Sequence, residues 1–396
     1  MKDIIVTGMG VLSPAGFTLE SFWRTLYNGK PIYERLKQLE EDDNYRIKIG
    51  ATVKSGEWME DITVVDIKQY GKATCYCLST VKRALEDAGL GQNFKGQRAA
   101  IIIGTTMGEI EVEQDITRIY CQDKKVESCL YQKYRTNQIA EVAAMQLKID
   151  GYTVVVPAAC AAGNYAVDLG KKLLQWNLAD IVIVGGVDVF SYVAYAGFQR
   201  LLALAPDKCC PFDKNRKGIV LGEGCGIVIL EREGERYGQK KYGRIIGSAV
   251  ASNAYHMTAP HKSGIGEYTV MNNAIKDAGI RPLEINYISA HGTGTQLNDA
   301  IEAKVINQLF GIHSPQVSSI KSVLGHSLGA ASIFELIASL LMMQKGIYLP
   351  NINYETKDEK CNLNIVCNKP TKGEIQFTLS NSFAFGGQTS CLILGK

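Results

Sequence analysis

The sequence lacks the features that mark nucleic-acid-binding, membrane-spanning or secreted proteins. Its 396 residues carry a net charge of only +3 and contain no dense run of lysine or arginine, which argues against a nucleic-acid partner. Its apolar runs are as long as strands and too short for a membrane-spanning helix. Residues 4–6 predict a strand and not a signal peptide. We therefore expect a cytoplasmic protein that binds neither nucleic acid nor a membrane.

Histidine is scarce, and cysteine, although frequent, lacks the spacing of a metal site. There are five histidines and eleven cysteines, an odd number. Cys75 and Cys77 form a CxC pattern instead of CxxC, and no paired metal-ligand spacing follows. No glycine-rich nucleotide-binding loop follows a strand either. These absences predict reduced, mostly buried cysteines, no bound metal and no bound cofactor.

Strand-like and helix-like patterns alternate along the whole chain, and 46% of the residues are hydrophobic. The alternation predicts parallel sheets with helices on their faces, and a similar order of elements in both halves indicates an internal duplication. The charged, glycine-containing residues 231–243 are the predicted linker. We therefore divide the chain into an N-terminal half, 1–240, and a C-terminal half, 241–396. One long helix is predicted from residue 68 to residue 88.

Cys160 lies in the most informative stretch of the sequence. A β-branched run at 154–156 ends at Pro157, Cys160 follows among alanines, and a helical pattern covers 161–176. This order predicts a strand, a sharp turn and a helix. Unpaired amides at a helix N-terminus favour negative charge, so we expect a lowered thiol pKa and a reactive thiolate. The same residues also fit a buried structural cysteine.

Two of the five histidines lie in glycine-rich turns that follow predicted strands. His291 opens the sequence HGTGT at 291–295, and His326 lies in KSVLGHSLGAA at 321–331. Ligands of open α/β sheets collect at the carboxyl ends of strands, so both histidines are candidate site residues. Two alternatives stay open here: histidines that only form hydrogen bonds within loops, and a zinc site, although no short ligand spacing supports one.

A third turn, FAFGG at 383–387, contains adjacent glycines. Such glycines free backbone amides to point into a cleft, as an oxyanion hole requires. An ordinary turn would have the same composition.

Together these motifs resemble the β-ketoacyl-carrier-protein synthases, the elongating condensing enzymes of the thiolase fold. The similarity rests on the cysteine turn, HGTGT, the pattern KSxxGHxxGAA and NSFxFGG, in this order, and extends from Thr7 to about Gly387. It implies a thiolase-like, five-layered αβαβα fold of two pseudo-duplicated halves. It also implies an acyltransferase that performs a decarboxylative Claisen condensation with malonyl-carrier protein, in fatty acid or type II polyketide biosynthesis.

The resemblance implies catalytic roles for residues of both halves. Cys160 would hold the acyl chain as a thioester, and its amide would form one side of the oxyanion hole. His291 and His326 would bind the malonyl thioester and promote its decarboxylation. Lys321, paired with Glu335, would stabilise the charge pattern around them.

The resemblance also implies residues that contact the substrate. Phe385 would give its amide to the oxyanion hole, and its side chain would gate the acyl pocket. Phe383 and Glu335 are also expected among the substrate-binding residues. Thr293 and Thr295 would bond the pantetheine arm, and Met107 would line the far end of the acyl pocket.

The implied partner is an acyl carrier protein, whose phosphopantetheine carries the substrates, so no further cofactor is expected. Lys68 and Lys72, on the predicted helix before Cys75, are the expected docking residues for this acidic partner. A solvated lysine face would have the same composition. The expected assembly is a homodimer, or a heterodimer with a chain-length-determining homologue.

Several positions depart from the family pattern, and none of them has an assigned chemical step. They are Asn164, Tyr165, Cys210, Gln296, Ala384 and Thr389. We infer a specialised acyl chain from these departures.

Two other functions are weighed against the condensing enzyme. A non-catalytic partner subunit would lack the active cysteine. A degradative thiolase would need a second catalytic cysteine in a C-terminal turn, whereas Cys391 is predicted inside the last strand.

Overall fold

The computed structural model of the chain describes residues 3–40, 43–54, 56–235 and 240–396. The strands are β1 (Ile4–Leu12), β2 (Glu34–Arg35), β3 (Ile49–Gly50), β4 (Ala99–Thr105), β5 (Thr153–Pro157), β6 (Ile181–Asp188), β7 (Gly224–Arg232), β8 (Gly243–Ser252), β9 (Tyr287–Ser289), β10 (Gln316–Ser318), β11 (Ile347–Tyr348), β12 (Thr371–Lys372), β13 (Phe377–Phe383) and β14 (Gln388–Gly395). The α-helices are α1 (Leu19–Asn28), α2 (Lys37–Glu40), α3 (Val64–Gln69), α4 (Lys72–Asp87), α5 (Ile110–Tyr120), α6 (Ser128–Lys133), α7 (Gln138–Leu147), α8 (Ala162–Gln175), α9 (Tyr192–Arg200), α10 (Ile265–Ala278), α11 (Gln296–Phe310), α12 (Lys321–Leu324) and α13 (Ala331–Lys345).

Ten of the strands form one sheet in which each half of the chain supplies five neighbouring strands. The N-terminal half has the order β5-β4-β6-β7-β1, and the C-terminal half has the order β10-β9-β13-β14-β8. In each half the first three strands of this order run parallel to one another. The fourth runs antiparallel to the third, and the fifth runs antiparallel to the fourth. The identical order confirms the predicted duplication. The prediction of purely parallel sheets was wrong, because β13 turns directly into β14 as a hairpin and β7 runs against β6.

Helices and sheet are stacked in five layers, as predicted. The outer helices α4 and α7 cover the N-terminal strands, and α10, with α11 beside it, covers the C-terminal strands. The middle layer contains α8 and α13, which contact each other and strands of both halves. Strands such as β4 are buried along their whole length, and this explains their continuous apolar sequence.

Helix α13 is the centre of the hydrophobic core. All but its last two residues are buried, and Phe334 packs in the largest apolar cluster. Replacing a phenylalanine at such a position with alanine costs about 3–5 kcal/mol. The segment Leu328–Lys345 is long and apolar enough to cross a membrane, but 89% of it is buried inside the protein. Its hydropathy is therefore that of a core helix.

The helix predicted from residue 68 to residue 88 is two helices, α3 and α4, separated at Gly71. A Cβ at Gly71 would lie 2.1 Å from a carboxylate oxygen of Glu109. That carboxylate accepts hydrogen bonds from the amides of Ala73 and Thr74, in the first turn of α4. The buried Glu109 therefore fixes the start of α4, a long-range effect that helical periodicity does not reveal.

The predicted linker, 231–243, is only partly a connection. Glu231 and Arg232 belong to β7, and Gly243 begins β8. Residues 236–239 lie outside the described residues.

Candidate active site

Cys160 lies in a tight turn between β5 and α8, as the sequence predicts. The short 3-10 turn Ala159–Ala161 connects the two elements, and Ala159 has a φ of +46°, a left-handed conformation that is uncommon for alanine. The carbonyl of Cys160 accepts a hydrogen bond from Ser382 Oγ at 2.8 Å. Gly104 of β4 leaves room for the start of α8, since a Cβ there would lie 2.3 Å from the Ala162 carbonyl carbon. The surroundings thus hold this strained turn in place.

The pKa of the Cys160 thiol is shifted opposite to the predicted direction. Burial raises the pKa to about 12, and the positive charge of Lys321 only partly opposes this rise. The prediction was wrong because Cys160 is only 7% exposed and lies two residues before α8 begins, so desolvation outweighs the helix dipole. The resting site therefore holds a neutral thiol, whose proton must leave as the sulfur attacks.

The two predicted histidines lie side by side and are neutral. Their ring centroids are 5.5 Å apart at an interplanar angle of 82°, and Phe383 packs 5.8 Å from the ring of His291. Burial and the charge of Lys321 lower the pKa of both His291 and His326 well below the ordinary value. Nδ1 of each ring is buried and has no hydrogen-bond partner in the described part of the chain, which leaves Nε2 as the nitrogen available to a ligand.

Lys321 and Glu335 form a buried ion pair behind the histidines. Lys321 Nζ donates a hydrogen bond to the carbonyl of His291 at 2.7 Å and a second one to Glu335 Oε1. Burial raises the pKa of Glu335 to about 7, and Lys321 opposes this rise. The pair therefore fixes the position of His291 and keeps positive charge near both imidazoles.

The turn that carries His291 depends on Glu302, which the sequence did not single out. Glu302 Oε1 and Oε2 accept hydrogen bonds from the amides of His291 and Gly292, each at 2.8 Å. Asn381, of the NSFxFGG motif, donates to Glu302 Oε1 at 3.1 Å. Asp299 similarly accepts from the amide of Thr293 at 3.1 Å. Both carboxylates come from α11, where a polar residue usually indicates a solvated face.

Asp188 has the corresponding role in the N-terminal half and was also missed. It accepts hydrogen bonds from the amides of Thr106 at 2.9 Å, Met107 at 2.8 Å and Gly329 at 2.7 Å. Burial raises the pKa of Asp188 to about 6. Because Gly329 belongs to the C-terminal half, this single carboxylate fixes the turns of both halves against each other.

A cavity of about 360 Å³ brings most of the predicted residues together. Its wall includes Cys160, His291, Thr293, Thr295, His326, Phe383 and Phe385. The hydroxyls of Thr293 and Thr295 are 2.9 Å apart. Acidic, basic and apolar side chains also line the cavity, so it can hold a long ligand with both polar and apolar parts.

Phe385 lies at the exposed side of this cavity. It is 38% exposed and packs 5.7 Å from the ring of Phe198. The following Gly386 and Gly387 both have a left-handed φ, +84° and +83°, which explains why the turn needs glycine. The turn contacts the Cys160 turn, so the two amides predicted for an oxyanion hole belong to neighbouring segments.

Three predicted residues lie outside the wall of the cavity. Lys321 and Glu335 are behind it, as described. Met107 is not a lining residue; it packs against the apolar cluster that contains Cys160, Phe190 and Leu328. Its role at the end of an acyl pocket stays a prediction.

The two lysines predicted for carrier docking differ in availability. Lys68 is exposed on α3. Lys72 lies at the start of α4 and forms ion pairs with Glu111 at 3.3 Å and Glu223 at 3.1 Å. They are not on one helix, and Lys72 is largely occupied by internal carboxylates.

Family models for the β-ketoacyl synthases match most of the chain. The N-terminal domain model matches residues 1–236, and the C-terminal domain model matches residues 242–355. The chain belongs to the β-ketoacyl synthase family. No group of three or more histidine, cysteine, aspartate or glutamate residues that could hold a metal occurs among the described residues.

Similar proteins cover the chain from end to end. A 3-oxoacyl-[acyl-carrier-protein] synthase 2 of Coxiella burnetii is 31% identical, covering 100% of this chain and 99% of its own length. The corresponding protein of Synechocystis is 32% identical, with 100% and 98% covered. The solved structure of the ishigamide ketosynthase/chain length factor is 32% identical, with a TM-score of 0.94, and the match covers 100% of this chain and 99% of that one. These likenesses confirm the predicted family and fold.

Proposed function

We propose that this β-ketoacyl synthase condenses an acyl chain, held as a thioester on Cys160, with malonyl-carrier protein and releases β-ketoacyl-carrier protein. The observation that carries the proposal is that Cys160 and two neutral histidines line the same cavity. A Claisen condensation needs a nucleophilic sulfur, donors for a developing oxyanion and a means to form a carbanion. These groups supply all three.

In the first half-reaction, the sulfur of Cys160 attacks the carbonyl carbon of the acyl thioester. The oxyanion that forms accepts hydrogen bonds from the main-chain amides of Cys160 and Phe385. The carbon–sulfur bond to the carrier then breaks, and the carrier thiol leaves with the proton that Cys160 gives up. Loss of one oxyanion donor typically lowers the rate about 10²- to 10³-fold.

In the second half-reaction, Nε2–H of His291 and of His326 donates to the carbonyl oxygen of the malonyl thioester. Carbon dioxide leaves, and the two hydrogen bonds stabilise the resulting enolate without complete proton transfer. The enolate carbon attacks the carbonyl carbon of the Cys160 thioester, and the carbon–sulfur bond to Cys160 breaks. The thiolate that leaves takes up a proton from solvent, which restores the thiol for the next cycle. Lys321 holds His291 through its carbonyl and keeps both rings neutral.

Thr293 and Thr295 contact the pantetheine arm in this proposal, and Phe385 gates entry of the acyl chain. Residues 1–240 supply the nucleophile and residues 241–396 supply the histidines and Lys321. No cofactor beyond the carrier's phosphopantetheine takes part, and the enzyme works in the cytoplasm.

The proposed partners are an acyl carrier protein and a second synthase subunit. A structure 28% identical to this chain, with a TM-score of 0.92, is a type II polyketide synthase carrier protein in complex with its ketosynthase bound to a hexaketide. The ishigamide structure pairs a ketosynthase with a chain length factor. We therefore infer a homodimer or a heterodimer with a chain-length-determining homologue. A role as the non-catalytic subunit is disfavoured by Cys160.

A degradative thiolase is disfavoured by the position of Cys391. This residue lies inside β14, where it pairs with Asn381 on one side and Ala249 on the other, and it is fully buried. It cannot serve as a second catalytic cysteine in a turn.

Mass spectrometry tests the proposal. Purified protein is incubated with a carrier protein whose phosphopantetheine bears an acyl chain, and the peptide that becomes acylated is mapped. Acylation of Cys160, its loss in Cys160→Ala and its persistence in the control Cys367→Ala, which removes an exposed cysteine, are expected. Acylation of another cysteine, or of none, would contradict the proposal. Carrier-bound products formed with and without neighbouring subunits then identify the chain length.

A further inference from the structure

The wall of the catalytic cavity contains an acidic residue that the proposed mechanism does not use. Glu267 lies in the first turn of α10, lines the cavity and is only 2% exposed. It forms no ion pair with any lysine or arginine of the described residues. A carboxylate in such a place is costly unless other groups compensate its charge.

Two groups compensate part of that charge. Asn253 Nδ2 donates a hydrogen bond to Glu267 Oε1 at 2.8 Å, and the N-terminus of a 14-residue helix favours a negative charge in its first turn. Gly266 permits this contact, since a Cβ there would lie 1.6 Å from Asn253 Oδ1. Helix and asparagine thus hold the carboxylate in a defined position.

Two acceptor oxygens of this pair lack a partner among the residues that the structure describes. Glu267 Oε2 and Asn253 Oδ1 are both buried and accept no hydrogen bond from those residues, and both residues line the cavity. Buried polar atoms are nearly always hydrogen-bonded, and an exception calls for a missing donor. A ligand that enters the cavity with an N–H or O–H group would supply one.

We propose that Glu267, positioned by Asn253, accepts a hydrogen bond from an N–H or O–H group of the bound thioester and thereby selects substrates that carry this donor. The inference rests on the proposed function, because it assigns the cavity to a carrier-linked thioester. The donor belongs either to the pantetheine arm or to a polar substituent of the acyl chain.

The position of the pair near the gate agrees with a contact to incoming substrate. The amide of Asn253 donates to the carbonyl of Gly387 at 2.7 Å, and the amide of Gly386 donates to the carbonyl of Met257 at 2.7 Å. The segment that presents Asn253 is therefore bonded to the turn that presents Phe385.

The test uses Glu267→Gln, which keeps the size of the side chain. Since Asn253 Nδ2 needs the remaining oxygen, the new amide places its NH₂ where Oε2 was, so that a donor replaces an acceptor. Glu284→Gln, on the exposed turn after α10, is the matched control for the lost charge. Thermal unfolding of both variants establishes that they fold.

Binding is measured by calorimetry with unreactive ketone analogues, in which CH₂ replaces the thioester sulfur. The first analogue has a natural pantetheine arm and a plain chain. The second also has a plain acyl chain, but esters replace the amides of its pantetheine arm, and the arm has no hydroxyl groups. The third is the second analogue with one hydroxyl group added to its acyl chain. Glu267→Gln should weaken binding of the first or the third analogue about 10- to 100-fold, the range for a hydrogen bond to a charged group. Which of them weakens identifies the source of the donor.

The second analogue, which has no donor, should bind Glu267→Gln and wild type equally. An equal loss for all three analogues, or no loss for any, would overturn the inference and leave Glu267 as a support for the gate turn. If Glu267→Gln does not fold, Glu267→Asp, which draws the carboxylate back by one methylene, takes its place and should weaken binding of the same donor-bearing analogue without affecting the second one. Binding of these analogues needs no turnover. If the wild type is never acylated, the proposed function is contradicted, but the Kd values of the analogues still show whether Glu267 accepts a hydrogen bond from the ligand.

Discussion

In the N-terminal half, β5 leads through the turn Ala159–Ala161 into α8; in the C-terminal half, β10 leads through α12 and the turn Leu328–Ala330 into α13. Both 3-10 turns contain a residue other than glycine with a left-handed φ, +46° at Ala159 and +50° at Leu328, and they contact each other. The two halves therefore share even this strained turn conformation, whereas their reactive side chains differ.

The side chains that follow the strands of the two halves divide the chemistry. The N-terminal half presents the thiol of Cys160 after β5, and the C-terminal half presents Lys321 and His326 after β10 and His291 after β9. Each half also uses a carboxylate that touches main-chain amides of the turns, Asp188 in one and Glu302 in the other. The two halves thus have similar frames of turns, and in the proposed mechanism the N-terminal half provides the nucleophile while the C-terminal half provides the donors to the enolate.

The largest expected effect comes from removing the imidazoles. His291→Ala or His326→Ala should lower malonyl decarboxylation and condensation about 10²- to 10³-fold, because each removes one donor to the enolate oxygen. Acyl transfer to Cys160 should change far less. Separate assays of decarboxylation and Cys160 acylation measure the two steps, with Cys160→Ala as the variant that loses acylation. Equal losses in both steps would show that the division between the halves is wrong.

Replacing Glu302 tests whether its carboxylate holds the turn of His291 in the C-terminal half. Glu302→Gln places an NH₂ group opposite the amide of His291 or Gly292, so the free energy of unfolding should fall by about 1–3 kcal/mol. Urea unfolding measures the loss. Glu86→Gln, an exposed change on α4, should have no measurable effect, and an equal stability of wild type and Glu302→Gln would refute the framing role.

The same variant should alter the pH dependence of stability. Burial raises the pKa of Glu302 to about 7 in the folded protein, above the value of about 4.3 in an unfolded chain. Between these values the folded state binds more protons, so the free energy of unfolding falls as pH rises through this window. Glu302→Gln should have a shallower slope from about pH 4.5 to 7, and parallel curves would contradict the assignment.

Met107→Trp tests whether the side chain of Met107, in the N-terminal half, limits the length of the acyl chain that Cys160 accepts. Met107 donates its amide to Asp188, and its side chain packs against the apolar cluster that contains Cys160. Overpacking there costs about 1–3 kcal/mol, or roughly 5- to 150-fold in rate. Acylation by long primers should fall by this factor while short primers react normally. Met145→Trp, at an exposed site on α7, is the control, and a loss independent of primer length would remove Met107 from the acyl pocket.

The positions of Cys160 and the histidines could be predicted because turns after strands leave a local signature of glycine, alanine and β-branched residues. The residues that hold those turns could not. Asp188 lies 83 positions from Thr105, to which it bonds, and Glu302 is an ordinary polar residue of a helix until the fold places it beside His291. The thiol pKa was mispredicted for the same reason, since burial depends on packing between layers and not on neighbouring residues in sequence.

Lys68 and Lys72 give the smallest expected effect, and they differ in a way that only the structure reveals. Lys68→Glu should raise the KM for carrier-bound substrate a few-fold, since a charge at the rim of an interface mainly changes the association rate and its salt dependence. Activity with a small thioester analogue and thermal stability should not change. Lys72→Glu should lower the Tm, because it places a third carboxylate beside Glu111 and Glu223. If Lys68→Glu leaves the carrier kinetics unchanged at low and high salt, the carrier docks on another part of the surface and Lys68 has no part in its recognition.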